Sequence, residues 1–130
     1  MRPLKVILLL LLFSGSAGII RAHHLRVPQI TIAQEIQDRK PIKPDTSFSS
    51  NVGNVYCYTV IEGASDSTEV YHVWHYKDEE KAHIPLTVAS QKWRTWSSKS
   101  ILPSWTGPWR VEVEDSNGNV IAKKSFSISE

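Results

Sequence analysis

The chain has 130 residues, with 15 basic and 13 acidic side chains, a formal net charge of +2, and one cysteine. This length is enough for one domain and no more. A single cysteine excludes an internal disulfide framework.

The first 22 residues have the features of a secretory signal peptide. Arg2 and Lys5 form a basic start, an unbroken apolar run covers 6–13, and small residues occupy 14–18. The apolar stretch is shorter than the ~20 residues that span a bilayer. We therefore expect cleavage, after Ala22 or else after Ala17, and contact with the membrane only during export.

Removal of residues 1–22 changes the charge balance of the chain. Three basic side chains leave, so 12 remain against 13 acidic ones and the net charge becomes −1. Binding to nucleic acid through phosphate neutralisation is not expected at this charge. We expect a periplasmic or secreted protein with no nucleic-acid partner.

The mature chain is predicted to begin with a flexible leader at 23–28, followed by one all-β domain at 29–130. Alternating apolar and polar side chains predict strands, separated by turn-forming residues. The segment 38–50 contains two prolines and is predicted to be a connection or a ragged edge. The predicted strands cover 29–36, 54–61, 68–76, 82–89, 91–97, 109–114 and 119–128.

About seven short strands in this length predict a single two-sheet β-sandwich of immunoglobulin-like type, with a small barrel as the competing architecture. Cys57 lies in the apolar run 55–59 and is expected to be a small buried hydrophobe. In the turn at 115–118, Gly118 suits a positive φ.

Four of the five tryptophans fall in the stretch 90–113. Trp93 and Trp109 alternate like core residues, as does Trp74 earlier in the chain. Arg94 and Trp96 have the opposite parity to Trp93, so they should face outward. Lys99 and Trp105 belong to a corner stiffened by proline and glycine. The candidate ligand-binding residues are therefore Arg94, Trp96, Lys99 and Trp105; in the alternative, Trp105 only seals the end of the sandwich.

The residue patterns of catalytic and metal sites are not found. His72 and His75 are three apart in a strand, so their side chains should point to opposite faces and cannot share a metal ion. Glu112 and Glu114 are expected on a solvated strand face, and no nucleophile-elbow motif occurs. We expect no enzyme activity, no catalytic residue, no metal and no cofactor.

Several stretches of the chain together resemble a bacterial family known as domain of unknown function 2914. They are DRKP at Asp38–Pro41, NVGNVYCYT at Asn51–Thr59, HVWHY at His72–Tyr76, and the long segment Lys92–Gly118, in which WRTWSSK and GPWRVEV are the most specific. Cys57, Val60 and Val73 stand where the family often has Phe, Glu and Arg. The resemblance implies an exported β-sandwich and no particular chemistry.

Two functions remain from the sequence. One is an exported, non-catalytic binding module that recognises a cell-envelope glycan or polymer, or a protein partner, through an aromatic and basic surface. The other is a structural or protein-interaction domain of the envelope, with no small ligand, that pairs through an edge strand.

Overall fold

The structure is a computed structural model that describes residues 24–130. The predicted signal peptide lies outside the described residues. Nine strands form in the described part: β1 Arg26–Gln37, β2 Lys40–Pro44, β3 Ser47–Ser49, β4 Asn54–Glu62, β5 Thr68–Tyr76, β6 Glu79–Val88, β7 Lys92–Ser100, β8 Gly107–Glu114 and β9 Val120–Ser129.

The strands form two sheets. The first sheet has the order β2-β1-β4-β7 and the second has the order β3-β9-β8-β5-β6. Every pairing is antiparallel except that of β3 with β9, which is parallel. The predicted all-β, two-sheet sandwich is confirmed.

The topology is that of an immunoglobulin-like sandwich. In that fold a buried tryptophan on the third principal strand packs beside a disulfide that joins the second and sixth. Here Trp74 on β5 and Cys57 on β4 lie in one buried cluster, and Val111 of β8 packs there with them. Hydrophobic packing thus occupies the place that a disulfide holds in immunoglobulin domains.

The structure adds two short strands to the seven that the sequence predicts. Segment 38–50 contains a tight hairpin turn at Asp38–Arg39, then β2 and β3, both at sheet edges. The expected ragged edge is thus partly ordered, with Pro41 and Pro44 on the edge strand β2, where a missing N–H is tolerated. β1 takes in Arg26–Pro28, which the sequence analysis assigned to the leader.

The inward-facing residues fill the interior as two neighbouring clusters. The larger contains Trp74 and Trp109, which are 0% and 2% exposed, so both are core residues as predicted. Trp93 is half-buried and packs against the smaller cluster. The larger cluster comprises Ile32, Phe48, Val55, Cys57, Trp74, Ile101, Trp109, Val111, Phe126 and Ile128; the smaller comprises Ile61, Ala64, Val70, Val88 and Val113.

Candidate binding surface

The four candidate ligand-binding residues fall on two separate surfaces. Arg94 and Trp96 lie on the outer face of the first sheet, because they alternate with the inward-facing Thr95 and Ser97 along β7. Lys99 alternates in phase with the inward-facing Thr95 and Ser97. It lies at the end of the sandwich, however, where its ammonium group reaches Trp105. The structure thus brings Lys99 and Trp105 together and separates them from the other pair.

Trp105 closes one end of the sandwich. Its ring packs against Tyr76 of β5 and Trp109 of β8, with ring centroids 6.2 Å and 5.8 Å away. Trp105 is half-buried and contacts the larger core cluster. We call the group Tyr76, Lys81, Lys99, Trp105 and Trp109 the Trp105 end.

Two lysines from different strands converge on the Trp105 ring. Lys81 Nζ of β6 lies 5.0 Å from the ring centroid and Lys99 Nζ of β7 lies 5.2 Å from it. A third ammonium, that of Lys77, lies 5.3 Å from the ring centroid of Tyr76. Such distances allow cation–π attraction. The Trp105 end therefore combines aromatic surface with a local concentration of positive charge.

Few carboxylates offset this positive charge. Lys81 pairs with Glu79 at 3.3 Å, and the Glu79 side chain is 72% exposed. Within residues 24–130, no carboxylate pairs with Lys99, whose Nζ donates to the backbone carbonyl of Ser100 at 3.3 Å. An exposed ion pair is worth little in water, so an incoming anion can displace Glu79 at small cost.

The loop that carries Trp105 is held in place by hydrogen bonds. Tyr76 Oη donates to the carbonyl of Thr106 at 2.7 Å, and Trp109 Nε1 donates to the carbonyl of Trp105 at 3.0 Å. The Trp105 N–H donates to the Leu102 carbonyl at 2.9 Å. The ring of Trp105 is therefore presented by a loop whose backbone is already ordered.

Sequence reasoning missed Tyr76 and Lys81 as members of this surface. Both come from the β5–β6 hairpin, more than 20 residues before Trp105 in the chain, and only the pairing of β5 with β8 brings them to the same end. A signal was present in the alternation of β5, which places Tyr76 on the same inward face as Trp74.

Trp96 and Arg94 belong to a different surface, on the outer face of the first sheet. The Trp96 ring stacks on Tyr58 of β4, its cross-strand partner, with centroids 6.2 Å apart and planes 15° apart. Arg94 lies opposite Val60. A shallow groove of about 240 Å³ runs beside them and is lined by Pro28, Gln29, Tyr58, Val60, Glu62, Lys92 and Arg94.

A serine–histidine pair is closed inside the sandwich. Ser97 Oγ lies 2.7 Å from His72 Nδ1, an arrangement like that of a nucleophile and its base. His72 is 0% exposed, however, and burial lowers its pKa to about 4. The pair is therefore neutral and out of reach of a substrate, and it belongs to the interior packing.

His75 points to the opposite face of β5 from His72, as predicted. Its Nε2 lies 3.5 Å from Oε2 of Glu112, and Arg110 Nε donates to Oε1 of the same carboxylate at 2.9 Å. The hydrogen bond from Arg110 lowers the pKa of Glu112. The expectation of a simply solvated Glu112 is thus corrected, because this carboxylate belongs to an ionic network that also contains Asp78.

Residues 24–130 show neither a metal-binding cluster nor a membrane-spanning helix. No group of three or more histidine, cysteine, aspartate or glutamate side chains is placed to hold a metal ion. The same residues contain no helix long and apolar enough to cross a membrane.

The fold makes this chain an all-β, immunoglobulin-like sandwich protein with an aromatic and basic end. Residues 67–128 match the model of a family described as protein of unknown function, DUF2914. The match contains the predicted family segments His72–Tyr76 and Lys92–Gly118. The segments at Asp38–Pro41 and Asn51–Thr59 lie outside it.

Among curated proteins, none matches this chain. Two solved structures show a distant likeness at 10% identity, each over 82% of this chain with a TM-score of 0.47. They are a β-glucosidase from Kluyveromyces marxianus, of which 14% is covered, and a β-glucosidase from Listeria innocua in complex with glucose, of which 16% is covered. The chain therefore spans a small part of those proteins' length.

Proposed function

We propose that this protein is an exported, non-catalytic binding module, active in the periplasm or outside the cell, that recognises an acidic glycan of the cell envelope. Its binding surface is the Trp105 end. The observation that carries the proposal is the placement of Lys81 and Lys99, with ammonium groups 5.0 Å and 5.2 Å from the centroid of one tryptophan ring.

The charge and the aromatic ring favour a sugar polymer that carries carboxylate, sulfate or phosphate groups. An aromatic face suits the apolar face of a sugar ring, and the two ammonium groups suit its anionic substituents. The indole N–H of Trp105 has no partner among the described residues and is not buried, so it can donate to a sugar hydroxyl.

The ordered loop supports binding for an entropic reason. Hydrogen bonds from Tyr76 and Trp109 already fix the loop around Trp105. A surface that is ordered before the ligand arrives loses little conformational freedom on binding. Sealing of the sandwich by Trp105 and ligand binding by its exposed part are thus compatible roles.

The proposal is tested by titrating the mature domain with polygalacturonate, a carboxylated glycan, and with neutral galactan, by isothermal calorimetry. Binding to polygalacturonate alone is expected, and it should weaken as salt rises. Lys99→Gln and Trp105→Phe should each weaken it about tenfold.

The matched control is Lys92→Gln, which removes the same charge from the opposite end of β7. It should leave the affinity unchanged. Equal losses for Lys92→Gln and Lys99→Gln would show unspecific attraction to the whole domain. Binding of galactan as tight as that of polygalacturonate would contradict the role given to the lysines.

A further inference from the structure

The edges of the two sheets differ in how well they are protected. β2 carries two prolines, β3 has three residues, and β6 carries Pro85 and a register shift against β5. β7 has nine residues and no proline, and all nine pair with β4 without a shift. Of the usual protections of a sheet edge, β7 lacks short length, proline and bulges, but it does carry charged side chains.

Hydrogen bonds at both ends of β7 show which backbone groups face the open side. Gly63 N donates to Gln91 O at 2.9 Å and Ile101 N donates to Gly53 O at 2.8 Å, and both pairs continue the β4–β7 register. In an antiparallel ladder, hydrogen-bonded and non-hydrogen-bonded pairs alternate. The odd-numbered residues of β7 therefore bond to β4, and the even-numbered ones direct N–H and C=O to the open side.

Three residues in the middle of this edge keep their backbone groups unpaired. The carbonyl of Lys92 accepts from Ser90 Oγ, and that of Ser100 accepts from Lys99 Nζ. Within residues 24–130, no partner is found for the N–H and C=O groups of Arg94, Trp96 and Ser98. They form a row of three donors and three acceptors.

The side chains along this edge are basic and aromatic. β7 contains three basic residues and no acidic one. Arg94 is exposed and has no carboxylate partner among the described residues, whereas Lys92 lies opposite Glu62. Trp96 follows on the same outer face.

We infer that the open edge of β7 docks an extended protein segment that carries acidic residues at alternate positions. Such a segment adds a fifth strand to the first sheet by β-strand addition. Its two acidic side chains lie beside Lys92 and Arg94, and an aromatic or β-branched residue lies beside Trp96, since neighbouring strands bring such side chains into contact. Pairing of β7 with β7 of a second copy is disfavoured, because it brings two sets of three basic residues together.

The β7 edge and the Trp105 end can be occupied separately. The docking groups lie on the open side and outer face of β7, whereas Lys99 leaves the strand from the other face towards Trp105. Variants at one surface therefore serve as controls for the other.

The test uses the mature domain and a fluorescent peptide, acetyl-Thr-Tyr-Thr-Glu-Thr-Glu-Thr-amide, measured by anisotropy. In antiparallel pairing its tyrosine lies opposite Trp96 and its glutamates lie opposite Arg94 and Lys92. Arg94→Glu should weaken binding at least about tenfold. Ser98→Pro removes one outward N–H and leaves the β4 ladder intact, so it should also weaken binding, with little change in the unfolding midpoint.

A modified peptide makes the result independent of how Ser98→Pro folds. Two peptides methylated on alternate backbone nitrogens are compared, because only one of them loses the donors that face β7. The peptide that loses the donors facing β7 should bind at least about tenfold more weakly than the other methylated peptide. Equal binding of both, equal binding of a peptide with lysine in place of glutamate, or no binding of the parent peptide overturns the inference.

Further outcomes separate the possible occupants and surfaces. A dimer in sedimentation that Ser98→Pro dissociates assigns the edge to a second copy and overturns an acidic partner. Lys99→Gln and Trp105→Phe should not change peptide affinity. If the domain binds polygalacturonate but not the peptide, this inference is rejected and the proposed glycan function is not. If the domain binds the peptide but not polygalacturonate, the proposed glycan function is rejected and this inference is not.

Discussion

His72 is the centre of a hydrogen-bond chain that assigns its tautomer. Thr59 Oγ1 donates to the Thr95 carbonyl at 2.9 Å, so it accepts from His72 Nε2 at 3.1 Å. Nδ1 is then the acceptor for Ser97 Oγ, which in turn accepts from Trp74 Nε1 at 3.0 Å. Every donor has an acceptor only when His72 is neutral. A second ring proton would leave the Ser97 hydroxyl hydrogen without an acceptor.

This chain makes stability depend on pH in a defined window. The pKa of His72 is lowered to about 4 from the ordinary value of 6.5 because burial penalises the charged form. Between these values the unfolded state binds more protons, so stability falls as pH falls, by about 3 kcal/mol from pH 7 to pH 4. Urea unfolding across this range measures the loss. His72→Gln should lose less over the same interval, and an equal slope would contradict the assignment.

Two hairpins of the sandwich turn through residues that are not glycine. The turn between β1 and β2 has Asp38 and Arg39 at φ 49° and 61°, and the turn between β5 and β6 has Lys77 and Asp78 at 47° and 65°. Two-residue loops with both φ values positive are type I′ turns, for which Asn-Gly is the favoured sequence. The twist of the paired strands therefore imposes a conformation that these side chains disfavour.

Replacement of Asp38–Arg39 by Asn-Gly should stabilise the domain by about 0.5–1 kcal/mol, because glycine tolerates positive φ at a smaller cost than arginine. The double variant leaves the net charge unchanged, and chemical denaturation measures the gain. The same replacement at Lys77–Asp78 is the control. It should gain less, since it removes the ion pair between Asp78 and Arg110 and the contact of Lys77 with the Tyr76 ring. Equal gains at both turns would show that these two contacts together contribute nothing.

The strands with regular alternation were predicted well, and the remainder depended on distant partners. β5 was predicted with its observed bounds, and β8 was predicted within two residues, because buried and solvated positions alternate in the sequence. Gly118 has the expected positive φ of 82°. β3 has three residues, only one of them apolar, and exists because Phe48 packs inward while its backbone pairs with β9.

The candidate surface shows the same division. Lys99 was predicted on the corner but lies near the end of β7, six residues before Trp105. Their closeness was still predictable from this short separation. Lys81 joins them through the pairing of β5 with both β6 and β8, which no local pattern encodes. Arg94 and Trp96 were placed outward correctly by parity. Parity alone did not show that this face lies apart from the Trp105 end.

The two core clusters share most of their strands. β4 supplies Cys57 to the larger and Ile61 to the smaller, and β5 supplies Trp74 and Val70 in the same way. Ile30 of β1 packs against both. A strand cannot leave one cluster without disturbing the other, so we expect the domain to unfold in one cooperative step.

The single cysteine allows this cooperativity to be measured at one atom. Cys57 is fully buried in the larger cluster, and burial raises the pKa of its thiol, so it should react with a thiol reagent only when the domain opens. When reclosing is fast, the labelling rate follows the population of the open state. Val70→Ala, in the smaller cluster, should cost about 2 kcal/mol. In one cooperative unit it should therefore accelerate Cys57 labelling about 30-fold.

The control is Trp109→Phe, which lies in the same cluster as Cys57 and should accelerate labelling whether or not the clusters unfold together. Trp109→Ala, expected to cost about 3–5 kcal/mol, is too severe for this purpose in a domain of ordinary stability. If Val70→Ala lowers the unfolding midpoint but leaves the Cys57 labelling rate unchanged, the two clusters open separately. The end that holds Trp105 would then be a unit distinct from the opposite end of the sandwich, and the shared strands would not couple them.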